Sequence, residues 1–311
     1  KMFAKAGVSM WFVPALLTVL AWGTADLFYK KGNNSSDPFS ATKTTIMVGL
    51  VMGLHVLFYY VIYQGIAYDV RNLLLYLPVS AMYILSMAIG YFGLRYIELS
   101  ISSPISNSSG AVSALLTFFL LGGTMEAIQF VAVGAISVGI LLLSIFEKQE
   151  FDSEMKLEGA TVEKKYRIGA VAIIFPILYC IVDGLGTFLD GYYLEFKQIM
   201  PEDQANMSYE LTFFIVAIIL WAYLELVKKE SVLVFKERNK GFAAIFETVG
   251  QFFYVGAIAT NAIVVAPMIA SYSIVSVVLG RIFLKEKLSR KQYLVIVLIM
   301  VGIAVLGFYD G

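Results

Sequence analysis

Long apolar runs separated by short polar breaks fill almost the whole chain. They fall near 10–29, 43–63, 73–94, 101–121, 127–146, 168–194, 210–227, 241–259, 262–284 and 292–309. Each is close to the roughly 17–25 residues that a helix needs to cross a hydrocarbon core, so the pattern predicts ten transmembrane helices. The strict in–out alternation of a barrel strand is absent, and backbone groups in lipid must be paired within the segment. The expected fold class is therefore an all-α integral membrane protein. The first run is read as a retained helix, because further spans follow it directly and no small-residue cleavage pattern intervenes.

Composition agrees with that reading: of 311 residues 59% are hydrophobic and 15% charged, with a net charge of zero. Soluble domains are nearer 45–50% apolar, and this chain leaves too few polar residues for a separate soluble domain. Cys180 is the single cysteine, so an intrachain disulfide and a cysteine metal site are excluded. A metal or other cofactor is not expected, and no basic stretch calls for nucleic acid.

Sliding the chain against itself by 163 positions pairs Tyr91 with Tyr254, Gly93 with Gly256, Pro104 with Pro267, Ser108 with Ser271, Leu121 with Leu284, Gln129 with Gln292 and Gly139 with Gly302. Paired Pro, Gln, Gly and Tyr at one offset point to an internal duplication rather than to apolar bias. The halves are 1–146 and 168–311, joined by a polar linker at 147–167 of mixed charge. Five spans is an odd number, so the second half must enter the membrane reversed. Inverted repeats of this kind underlie alternating access in secondary transporters. Eighteen of the 23 Lys and Arg residues fall in the connections on one side. The positive-inside rule makes that side cytoplasmic and sends both termini outward.

Ionisable groups inside spans are expensive, about 2.5–3.5 kcal/mol at a helix centre, and they face cavities or partners. Four acids qualify: Asp26 in the first span, Asp183 and Asp190 in the sixth and Glu247 in the eighth. Tyr179, Asp183, Gly186 and Asp190 share one helical face, as do Glu247, Gln251 and Tyr254, and Trp22 with Asp26 and Tyr29 or Lys30. Tyr91, paired with Tyr254 by the repeat, shares a face with Tyr83 in the third span. Aromatic faces attract ammonium groups by about 0.5–2 kcal/mol, so these residues, with the amide of Asn107, form the candidate substrate- or proton-binding set. Asp26 has a competing reading as an end anchor paired with Lys30, and Asp190 as a headgroup-zone residue. His55, the only histidine, reads as packed or hydrogen-bonded. Trp11, Trp221 and Tyr309 read as an interfacial belt, and Pro104 and Pro267 as helix starts or interruptions.

The stretch "AWGTADLFYKK" ending the first span and "NAIVVAPMIASYSIVSVVLGRIFLKEKLSRKQYLVIVLIMVGIAVL" in the second half resemble EamA-type members of the drug/metabolite transporter superfamily. The likeness covers both halves and is strongest from Gly256 to Leu306. Two departures stand out: "LLGGTMEAIQF" lacks the acidic turn matching Glu286, and the "EFKQIMPEDQANMSYEL" connection is long. The resemblance implies ten helices in two inverted five-helix repeats around a central cavity. It implies a transporter, not an enzyme, in a family whose members carry amino acids, nucleotide sugars, triose phosphates, choline-like cations and drugs. The expectation is a monomeric, multi-pass secondary-active carrier of the bacterial cytoplasmic membrane for a small polar or cationic metabolite, with proton coupling. A membrane-embedded enzyme or lipid-handling protein and a channel are the alternatives. Against an enzyme, the sequence has no histidine cluster, no phosphate-cradling loop and no nucleophile with a base.

Overall fold

The computed structural model describes residues 11–32, 37–93, 106, 109–122, 126–157, 174–283 and 289–309. Among these residues every extended regular element is helical. The elements are α1 (Phe12–Gly32), α2 (Ser40–His55, continued by a π-helical stretch Val56–Tyr63), α3 (Arg71–Leu75), α4 (Leu77–Gly93), α5 (Ser109–Leu121), α6 (Ala127–Leu157), α7 (Ile174–Gly191, continued by π-helical Tyr192–Phe196), α8 (Glu202–Ala222, continued by π-helical Tyr223–Lys228), α9 (Arg238–Ala270), α10 (Tyr272–Phe283) and α11 (Arg290–Tyr309).

Seven stretches among the described residues are long and apolar enough to cross a membrane: Phe12–Tyr29, Ser40–Tyr63, Arg71–Gly90, Ile174–Phe196, Glu202–Lys228, Arg238–Asn261 and Ile263–Gly280. Helices α5, α6 and α11 occupy the places of the remaining three expected spans, with shorter described apolar stretches such as Ala127–Gly139. The chain is a multi-pass membrane protein.

Two boundaries differ from the sequence reading. Helix α8 begins at Glu202 rather than near 210, because Pro201 sits extended at its N-cap and Glu202 and Asp203 occupy the first turn, where acids complement the helix dipole. Helix α6 runs on to Leu157, since "EKQEFDSEMKL" is rich in helix formers and contains neither Gly nor Pro. The break between the eighth and ninth spans falls between 259 and 262, where the sequence reading has it, and not at Pro267. Helical geometry fails only at Asn261 (φ −156°, ψ 76°), and the backbone at Pro267 stays helical. Pro104 lies outside the described residues.

Contacts along α1 show what happens at Asn261. The Trp22 indole donates to the Glu247 carbonyl at 3.2 Å and stands edge-on to Tyr272 with ring centroids 5.9 Å apart. Farther along, Asn239 donates to the Lys31 carbonyl, and Ser276 donates to Asp26. The first part of α9 thus runs antiparallel to α1, while α10 runs parallel to it. The chain therefore doubles back at Asn261.

The two ends of the bundle have different chemistry. At one, Lys43 is buried and bonds both Asp37 at 2.9 Å and Glu230 at 2.8 Å, with Lys240 paired to Glu237 nearby in sequence. Burial opposes ionisation of Asp37, but the Lys43 hydrogen bond, the Phe39 N–H and the Lys43 and Lys240 charges outweigh it and hold the carboxyl below the usual range. Its contribution to stability is present at neutral pH and is lost as pH falls through that lowered value. At the other end Gln204 ties α8 to the α2–α3 connection through the Ala67 carbonyl and Asn72. The 1–2 and 7–8 connections therefore share one end, and the 2–3 and 6–7 connections the other, as the expected parity requires.

The duplication is visible in the packing. A Cβ on Gly139 would lie 2.4 Å from Ile299, and one on Gly302 would lie 2.9 Å from Ile136. Gly302 and Ile299 are Gly139 and Ile136 advanced by 163, so α6 and α11 make the same contact twice in exchanged roles. Trp11, expected at the interface, is instead buried in the main core beside Ala15 and Val19, because the packed bundle extends beyond the start of α1. Trp221 is half-buried and packs on the Ile46, Leu224 and Val232 cluster, and the side chain of Tyr309 lies outside the description.

Candidate functional site

The acids named from sequence come from α1, α7 and α9, and helical spacing decides how they stand. On α7, Asp183 and Asp190 lie seven residues apart on the face packed against α4. Ser86 of α4 donates to Asp183 at 3.1 Å, and Ser109 of α5 also bonds it. On α9, Glu247 accepts from the Tyr29 hydroxyl of α1 at 3.3 Å. On α1, Asp26 accepts from Ser276 of α10 at 2.8 Å. Asp26 and Asp183 are both near enough to Glu247 to act on it electrostatically, so three acids from three helices meet in one region.

Asp183, Glu247 and Asp26 are each only partly buried. Hydroxyl groups satisfy Asp183 and Glu247 without neutralising them. Among the described residues no lysine or arginine pairs with Asp183 or Glu247. A carboxylate in a membrane interior without a fixed countercharge takes it from a proton or from a bound cation.

Asp190 is different. It has no exposed surface and lies behind a wall of tyrosines. Tyr76 donates to it, Tyr83 donates at 3.0 Å, and the Tyr254 hydroxyl also reaches it. The Tyr83 and Tyr254 hydroxyls are 2.5 Å apart, and Thr187 lies 3.2 Å from Tyr83. Tyr254 in turn faces Trp22, with ring centroids 5.3 Å apart. Asp190 therefore organises the aromatic wall by linking the α3–α4 junction, α4, α7 and α9, while Trp22 and Tyr254 lie on the α1–α9 side with the acids. Asp190→Ala is expected to lower stability by about 1–3 kcal/mol by orphaning buried hydroxyls, read as a lower melting temperature in detergent, with Asp190→Asn closer to the parent.

Other residues named from sequence fall around this centre. Tyr179 packs its ring over Gly90, whose added Cβ would be 2.7 Å away. Gln251 is 1% exposed, and its amide nitrogen lacks a hydrogen-bond partner among the described residues. Asn107 and the side chain of Tyr91 lie outside the description. Tyr29, which the sequence reading placed on the face of Trp22 and Asp26, joins the centre, and the structure adds Tyr76, Ser86, Thr187 and Tyr209, the last edge-on to Tyr83 with centroids 5.8 Å apart. Residues that carry ordinary hydroxyls give no periodic signal, and only the pairing of helices singles them out.

The structure also places a fifth acid, the fully buried Glu210, inside a span; sequence reading missed it because the seventh span was begun at that residue. It bonds His55 at 2.7 and 2.9 Å, so the histidine is hydrogen-bonded as expected. Nearby, an apolar groove of about 360 Å³ between α2 and α8 is lined by Leu54, Leu57, Val61, Leu211 and Phe214 among others and contains none of the acids. Among the described residues no group of acids, histidines or cysteines has metal-site geometry.

The EamA-like transporter family profile matches residues 9–145 and 170–308, two copies that cover most of the chain. A search of curated proteins returned no match. Among solved structures, one described only as "Crystal structure of protein" is similar at a TM-score of 0.68 and 13% identity, over 96% of each chain. That likeness shows the fold alone.

Proposed function

We propose that this chain, which belongs to the EamA-like transporter family, is a secondary-active carrier of a small organic cation such as an amine, an amino acid or a drug-like cation. The observation that carries the reading is the meeting of Asp26, Asp183 and Glu247 beside Trp22 and Tyr254, without a basic partner for Asp183 or Glu247 among the described residues. Carboxylates supply countercharge, and the aromatic faces supply quadrupole attraction to an ammonium group. Serine and tyrosine hydroxyls hold Asp183 and Glu247 in place without neutralising them.

In this reading ten spans form two inverted repeats, 1–146 and 168–311, joined by the 147–167 linker, and the acids line a cavity between the halves. Exchange of conformation between the halves opens that cavity to each side in turn. Members of the family are transporters, which weighs against an enzyme. The working unit is a monomer, because one chain holds both halves. Its membrane is the bacterial cytoplasmic membrane, with the Lys43 and Lys240 end inside.

Uptake of labelled amines and amino acids into proteoliposomes tests the reading. Saturable uptake of at least one cation is expected, and a carrier that moves only anions would overturn it. A reporter active only in the cytoplasm, fused to the C-terminus, is expected to stay dark; a bright fusion would reverse the assigned orientation.

A further inference from the structure

The His55–Glu210 pair takes no part in the acid–aromatic centre, yet its carboxylate is fully enclosed. Glu210 has no exposed side-chain surface, while His55 retains 23%. Both carboxylate oxygens lie within hydrogen-bond reach of the same ring nitrogen, Nδ1, at 2.7 and 2.9 Å. An ionised carboxylate only accepts, so a proton occupies that bond whichever group formally owns it.

The surroundings are aromatic. Tyr59 stacks on the imidazole at 5.2 Å between centroids, and Tyr60 and Phe252 stand edge-on at 5.3 and 5.8 Å. The titratable groups around the pair are Tyr59 and Tyr60 from α2's own continuation. Glu202 and Asp203 at the start of α8 act on Tyr60. Helix α9 contributes Phe252, which carries no charge. Among the described residues His55 is the basic partner of Glu210.

Location gives the pair its significance. His55 belongs to the first repeat and Glu210 to the second. Each lies eight residues from the same end of the bundle, Tyr63 for α2 and Glu202 for α8, a depth of about 12 Å at 1.5 Å per residue. On the other side of the pair α2 and α8 are locked by the close approach at Gly49. On the near side α2 passes directly into the π-helical stretch Val56–Tyr63, a geometry concentrated at functional sites.

We propose that His55 and Glu210 form a proton-binding site, separate from the cation site, that ties the two repeats together at the end where α2 finishes and α8 begins. With neutral imidazole donating Nδ1–H to the carboxylate, the pair carries one negative charge. A proton taken up at Nε2 turns it into imidazolium–carboxylate with no net charge, and release of that proton restores the first state. The partly exposed imidazole is the point of entry, and Glu210 holds the charge that fixes the ring. A net negative charge in an apolar seam is costly, so the protonated pair is the form that holds the seam closed and the deprotonated pair the form that loosens it. The carrier reading above supplies only the use to which this coupling is put.

Because His55 is the sole histidine, isotope-labelled histidine gives one imidazole for nitrogen NMR in bilayers. The expected spectrum at alkaline pH is the Nδ1–H tautomer, converting to imidazolium on acidification. An Nε2–H tautomer would overturn the proposal without any mutation. With Cys180→Ser, spin labels at Tyr63→Cys and Ile199→Cys report the seam, and their distance distribution is expected to change with pH. That response should be lost in both His55→Gln and Glu210→Gln. Persistence of the same pH response in both variants would also overturn the proposal. Neither measurement uses a transported cation, so failure here leaves the cation reading standing, and failure of cation uptake leaves this one standing.

Discussion

Glu247→Gln and Asp183→Asn are each expected to weaken binding of a transported cation by about 30- to 100-fold, with the double variant inactive. The magnitude follows from removing one charged partner of an enclosed ion pair, about 2–3 kcal/mol, at tenfold per 1.4 kcal/mol. Both replacements keep the acceptor oxygen that Tyr29 and Ser86 use, so the helices should pack as before. Melting temperature should therefore move little while affinity collapses. The two acids lie on different helices, α9 and α7, but act on one another electrostatically, so their effects should be non-additive. Competition binding in detergent, beside a melting curve for each variant, separates a ligand role from a folding role. Normal affinity in both single variants would remove these acids from the site.

The second large effect is on stability, at the seam between the halves. A Cβ on Gly49 would lie 2.3 Å from the Phe213 carbonyl oxygen and 2.5 Å from the Ala217 Cβ. The obstructing atoms are backbone and a methyl group, neither of which has a rotamer to change. Gly49→Leu must therefore push α2 away from α8, break the Gly49 contact and disturb the His55–Glu210 bond one turn and a half farther along. A loss of about 3 kcal/mol, the upper part of the usual range for overpacking, is expected. Gly241→Ala is the control, since its Cβ would meet only the Met47 methyl at 3.3 Å, a side-chain end that can swing aside. Thermal unfolding of the two variants should differ clearly; equal melting temperatures would contradict the tight α2–α8 seam.

Most of the architecture could be read from the chain because a bilayer imposes length and apolarity on each span, and those properties belong to the local sequence. The parity of the spans and the 163-residue offset were also legible, and the exchanged Gly139–Ile299 and Gly302–Ile136 contacts give the offset a physical form. What the sequence concealed depends on one helix meeting another. Glu210 read as a boundary residue because the polar "PEDQANMSYE" stretch looks like a connection, whereas the structure runs it as helix from Glu202. Asp190, seven residues from Asp183 on the same face, read either as part of the same binding set or as a headgroup-zone residue. Only the packing of α3, α4 and α9 shows that three tyrosines enclose the one and serines hold the other. Trp11 read as an interfacial anchor, and nothing in its immediate neighbours foretells the core it joins. The reversal between the eighth and ninth spans was legible in the apolar pattern, and the contacts of Trp22 with both arms place it at Asn261 rather than at Pro267.

The account stands on the claim that the meeting of Asp26, Asp183 and Glu247 selects positive charge. The direct measurement is binding to the purified protein of a panel of organic cations, choline, agmatine and aromatic amines among them, each beside an uncharged isostere of the same shape. The predicted result is saturable binding of at least one cation, with its neutral partner weaker by about 30-fold or more, the loss expected when a charge-paired contact is removed. Uncharged isosteres that bind as tightly as their cations, or a protein that takes up only anions, would contradict it.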